Sequence, residues 1–184
     1  MTRFIPKITV RRAIAGTLVA ALAAVPLALS STAGAAGTTP RCTTRGLEVW
    51  LGVGGGGAAA GSTFYPMEFS NVSSHTCQLF GFPGVSAEKA GHQVGRPAGR
   101  DNSTPHTVTL HPGTTAHVVL QITDVGVFTP SACKPVTADT LRVFPPGATR
   151  AARIPFRFRA CSASGPVFLH VTPVQPKVGI PGHP

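Results

Sequence analysis

Acidic side chains are scarce in this chain. Glu48, Glu68, Glu88, Asp101, Asp124 and Asp139 are the only six, against 16 lysines and arginines in 184 residues. Glycoside hydrolysis needs two facing carboxylates, one held protonated, and so thin a supply, scattered over many segments, argues against it. Helical periodicity is also missing after residue 36. Prolines and glycines recur throughout, and no breaker-free stretch of a dozen residues is apolar at spacings of three and four, which excludes a helical bundle. The serine nucleophile elbow G-x-S-x-G is absent: Gly84 precedes Ser86, but Glu88 stands where the second glycine belongs. There is no G-x-x-x-x-G-K-[ST] loop for phosphates either.

The longest apolar run, residues 13–29, lies at the start of the chain. Arg3, Lys7, Arg11 and Arg12 precede it, and small residues follow, ending in Ala33-Gly34-Ala35. The order basic, apolar, small reads as a secretory signal peptide over residues 1–35, cleaved after Ala35. The run contains Pro26 and is mostly alanine, short of the roughly 20 strongly apolar residues of a membrane span. Val10 before Arg11-Arg12 makes a poor twin-arginine signal. The 149 residues left form one ordinary domain. Of the 16 basic side chains, 4 go with the leader, leaving 12 against 6 acids and a formal charge of +6. An exported basic chain attracts polyanions such as envelope polymers or lipid head groups. Nucleic acid is not an expected partner outside the cell.

Export also decides the cysteines. Cys42, Cys77, Cys133 and Cys161 all follow the leader and read as two disulfides rather than a redox or metal centre. Four cysteines allow three connectivities. Cys42–Cys77 with Cys133–Cys161 is favoured, because each pair flanks strands close in sequence.

Short alternating runs fill the rest. The sets are Leu47, Val49, Leu51 and Val53; Tyr65, Met67 and Phe69; Cys77 and Leu79; Val85; Val108 and Leu110. Ala116, Val118, Leu120 and Ile122 follow, then Leu141 and Val143; Ile154, Phe156 and Phe158; and Val167, Leu169 and Val171. Alternation buries one face of a strand, and turn residues every 8–15 positions favour an all-β, immunoglobulin-like antiparallel β-sandwich of about eight or nine strands. Residues 36–41 form a short extension, residues 42–174 the sandwich, and residues 175–184 a disordered tail rich in proline and glycine. Residues 54–61 and 91–105 read as exposed loops, with the strand after the first broken by Pro66.

Several stretches carry a family resemblance: Cys42 with Leu47-Glu48-Val49-Trp50-Leu51-Gly52; Met67-Glu68-Phe69-Ser70-Asn71; Cys77-Gln78-Leu79-Phe80-Gly81-Phe82-Pro83-Gly84-Val85; Val108-Thr109-Leu110-His111-Pro112-Gly113; Ala116; Cys133; Leu141-Arg142-Val143-Phe144-Pro145-Pro146; and Cys161. In this order they resemble the exported actinobacterial family called domain of unknown function 4232. The resemblance implies a secreted or envelope-associated β-rich domain and brings no catalytic residues.

Three groups of side chains merit weighing as sites. Gly52, Gly54 and Gly57 match G-x-G-x-x-G, but no helix pattern follows to hold a pyrophosphate, so they read as a flexible loop. His106, His111 and His117 cluster around one expected hairpin and are the best metal candidates. Alternation sends His106 and His117 to opposite faces, which argues against a shared ion. Arg153, Arg157 and Arg159 share the outward face of one strand, Arg142 is outward on the strand before it, and Arg150 lies between. Guanidinium forks match phosphate and carboxylate, so neighbouring strands would make these a basic plate; a charged edge that resists aggregation is the plain alternative. The expectation is a secreted, non-catalytic binding module without cofactor, its arginines facing anionic envelope material. The rivals are a histidine-based metal binder and a hydrolase whose triad assembles in space.

Overall fold

In the computed structural model, residues 38–53 and 57–179 are described. The expected leader, residues 1–35, lies outside them. The described chain is built from strands, and no helix in it is long and apolar enough to cross a membrane.

All nine alternating runs form strands. They are β1 (Leu47–Leu51), β3 (Ser62–Asn71), β4 (Cys77–Phe80), β5 (Gly84–Lys89), β8 (Thr107–Leu110), β9 (Thr115–Thr123), β10 (Pro135–Phe144), β11 (Ala152–Cys161) and β12 (Leu169–Val171). Four more strands fall where the sequence reads as loop or tail: β2 (Gly57–Ala59), β6 (His92–Val94), β7 (Gly99–Arg100) and β13 (Gln175–Pro176). Each is two or three residues long, too short to carry a period of two. The described strands therefore number thirteen rather than eight or nine. They form three sheets.

The largest sheet runs β1-β3-β9-β12-β7, with β2 added to β3 and β13 to β9. Its spine is the β3–β9 pair, antiparallel from Ser62 opposite Thr123 to Ser70 opposite Thr115. The second sheet runs β11-β10-β5-β6, and the third is the β4–β8 pair. Most alternating apolar residues are buried as the pattern demands: Met67, Phe69, Ala116, Val118, Leu120, Leu141 and Val143 have no exposed surface. They join Leu79, Leu110, Val85 and Phe168 in one hydrophobic cluster fed by all three sheets. Tyr65 of β3 meets Phe156 of β11 edge to face at 5.2 Å between ring centroids, one contact between the two larger sheets. Val53 departs from its set: β1 ends before it, and it is exposed.

Proline does not break β3. Pro66 lies inside it, opposite Val119. Its carbonyl accepts from Gly52 N–H at 2.8 Å, so its missing N–H faces the edge where β1 is ending, a place that proline tolerates. A Cβ at Gly52 would stand 2.7 Å from Pro66 Cγ. Gly52 thus serves close packing of β1 on β3.

Both favoured disulfides form, Cys42–Cys77 and Cys133–Cys161. The first pins the segment before β1 to β4. The second joins a four-residue helix, α1 (Pro130–Cys133), to the end of β11.

The expected tail needs correction over residues 175–179. β13 pairs with β9, Gln175 opposite His117, and Gly179 is buried. Its N–H donates to Glu68 Oε1 at 2.8 Å. The physical reason is a buried acceptor on the outer side of β3 that alternation does not reveal. Residues 180–184 lie outside the described residues.

Candidate functional site

The second sheet brings the outward arginines together. Arg142 of β10 stands opposite Arg153 of β11. Arg157 and Arg159 follow Arg153 along the same face, all three exposed. Arg159 lies opposite Thr137 and reaches its hydroxyl at 3.5 Å. The register shifts between Ala138 and Thr140, a bulge that places Asp139 under the field of Arg157. Bulges of this kind re-aim side chains.

Two acids lie within this surface. Glu88 of β5, opposite Thr140 of β10, is 1% exposed. Its Oε2 accepts from Arg153 Nε at 3.1 Å. Arg142 Nε lies 3.7 Å from Oε1, near enough for attraction but without a hydrogen bond. The Arg142 guanidinium carbon also sits 4.8 Å above the Phe144 ring, a cation–π arrangement. Asp139 takes N–H from Ala90 at 2.9 Å and the Thr140 hydroxyl at 2.8 Å. These bonds, first the Ala90 N–H and then the hydroxyl, hold its carboxyl below the usual range, with Arg157 and Lys89 adding to the effect. Four guanidinium groups therefore face two carboxylates. Sequence reading missed Glu88 because β5 shows only Val85 as a clear apolar mark.

Arg150 is on neither strand. It lies in the turn between β10 and β11, and its carbonyl accepts the Thr44 hydroxyl at 2.7 Å. It borders a separate cleft beside the first disulfide.

The three histidines do not converge. No group of three His, Cys, Asp or Glu side chains suited to a metal ion exists among the described residues. His106 is exposed ahead of β8, not inward as its parity with Val108 predicts. His111 faces the Thr76 hydroxyl at 3.2 Å. His117 Nδ1 donates to the Lys177 carbonyl at 2.9 Å.

A family model described as Domain of unknown function (DUF4232) matches residues 42–175, a span that holds both disulfides and every long strand. The chain belongs to that family. The DUF4232 match begins on Cys42, where the first disulfide starts, and ends on the first residue of β13. No curated protein and no solved structure matches the chain.

Proposed function

We propose that this chain is a secreted or envelope-associated binding module without catalytic activity, from an exported actinobacterial family, and that its arginine face holds anionic envelope polymer. The observation that carries the reading is the excess of guanidinium over carboxylate on the outer face of the β11-β10-β5-β6 sheet: Arg142, Arg153, Arg157 and Arg159 against Glu88 and Asp139. Arg157 and Arg159 are exposed and lie outside both ion pairs. Guanidinium groups spaced along a strand suit a repeating anion better than a single small one. Two disulfides and the basic leader support a life outside the cytosol. We read the layered sheets as an immunoglobulin-like sandwich, supported by the shared hydrophobic cluster and the Tyr65–Phe156 contact.

Binding of the disulfide-bonded chain to purified wall polymer, measured across a salt series, tests this. Affinity falls steeply as salt rises, because exposed charges are screened beyond about 10 Å at 0.1 M. Replacing Arg153, Arg157 and Arg159 together by Gln removes most of it. Binding indifferent to ionic strength, or intact in the triple variant, would overturn the proposal.

A further inference from the structure

A second cationic feature lies away from that sheet face. Arg41, Arg45 and Arg150 line one cleft of about 400 Å³, with the hydroxyl-bearing Thr43 and Thr149 between them. Its two walls are fixed. The wall of residues 41–45 is tied to β4 by the Cys42–Cys77 disulfide and by Cys42 N–H donating to the Gln78 carbonyl at 3.0 Å. The wall of residues 147–150 is the turn between β10 and β11, joined to the first by the Thr44 hydroxyl on the Arg150 carbonyl. Gly147 takes a φ of +74°, and a Cβ there would stand 3.0 Å from Arg41 Nη1. The Arg41 guanidinium thus lies against the turn.

Charge balance makes the cleft unusual. All six acidic side chains of the chain are among the described residues, and both ion pairs found there fall on Glu88. Three arginines therefore share a concave site with no carboxylate side chain to neutralise them. Holding like charges together costs energy that a bound anion would relieve. Arg41 also borders a neighbouring hollow of about 250 Å³, whose lining includes Phe80 and Pro146. Phe80 is 57% exposed, an aromatic face left open beside a guanidinium.

We propose that this cleft binds a phosphate ester of a polyol, with the phosphoryl oxygens on Arg41, Arg45 and Arg150 and the organic part over Phe80. A tetrahedral oxyanion offers three forks more acceptors than a carboxylate does, and an aromatic ring takes the carbon-bearing side of a polyol. The site shares the anion-binding reading of the sheet face but stands on different side chains. A concave site of this size takes a chain end or single unit, where the sheet face takes a repeat.

Isothermal titration of the disulfide-bonded chain with glycerol 3-phosphate, inorganic phosphate and glucuronate tests it. Saturable one-to-one binding of glycerol 3-phosphate is expected, tighter than inorganic phosphate and tighter than glucuronate. Arg45→Gln and an Arg41→Gln, Arg150→Gln pair each weaken it about tenfold, as expected for loss of a charge-assisted bond. Phe80→Ala weakens the ester and leaves inorganic phosphate unchanged. The Arg153, Arg157 and Arg159 triple Gln variant retains full ester binding, so this site and the sheet face fail separately. Unchanged melting curves show that the exposed substitutions leave the fold intact. No saturable binding, undiminished binding in the cleft variants, or preference for glucuronate would overturn the assignment.

Discussion

Glu68 sits between Met67 and Phe69 in β3, and all three are fully buried. Alternation assigns Glu68 to the face away from the core, where water should reach it. The segment after β12 covers that face instead, so burial raises the Glu68 carboxyl above its ordinary value, against the lowering effects of the Gly179 N–H and nearby His117. Oε2 finds no hydrogen-bond partner. A raised acid binds its proton more tightly folded than unfolded, so stability is greatest below the ordinary carboxylate range and is lost as pH rises through the folded value. Glu68→Gln keeps an acceptor for Gly179 and has no charge to desolvate. Urea unfolding from pH 4 to pH 8 should show a shallower decline for the variant than for the wild type; an unchanged slope would contradict this account of Glu68.

At the scale of elements, the nine alternating runs were legible because most long strands bury one face and leave the other wetter, as β9 does residue by residue; β3 and β5 are covered on both faces over part of their length. The short strands were not. β2 is Gly57-Ala58-Ala59, all exposed, and its pairing with β3 is written in no side-chain pattern. β13 is a strand only because β9 offers an open edge near His117. Among the site residues, the facing of Arg142 and Arg153 could be read from outward parity on neighbouring strands. The insertion of Glu88 between them could not, since it depends on β5 pairing with β10 across about fifty residues of chain. Two outcomes belong here. Glu88→Gln frees Arg142 and Arg153, so affinity for anionic polymer rises while stability falls by about 1–2 kcal/mol from the lost charge-assisted bond; equilibrium binding and urea denaturation read both. Ending the chain after Val174 removes β13 and the Gly179 N–H, which costs about 2 kcal/mol for a few backbone-type bonds. It also flattens the pH slope by returning Glu68 to water, as paired unfolding curves at two pH values would show.

For the molecule as a whole, sulfur and charge dominate. The cysteine pairing was one of three connectivities allowed by sequence. Both bonds close loops between neighbouring parts of the chain, separated by 35 and 28 residues. In the chain-entropy view each contributes about 3.5–4 kcal/mol, comparable together with the roughly 5–15 kcal/mol net stability of a domain. Reduction under native buffer should therefore shift the urea midpoint far down or abolish the folded baseline; a reduced chain as stable as the oxidised one would show the staples to be ornamental. The surface excess of arginine cannot be ranked from composition alone. Glu88 bonds one guanidinium group on the sheet and attracts a second, whereas Arg45 and Arg150 were separated in sequence and meet only through the cleft. Nuclear magnetic resonance mapping with a glycerol-phosphate oligomer tests the central claim most directly, because it reads every backbone amide at once. The account predicts shifts confined to residues around Arg41, Arg45 and Arg150 and along β10 and β11 near Arg142, Arg153, Arg157 and Arg159, fading as salt is added. Shifts centred on another face, or none at saturating oligomer, would contradict it.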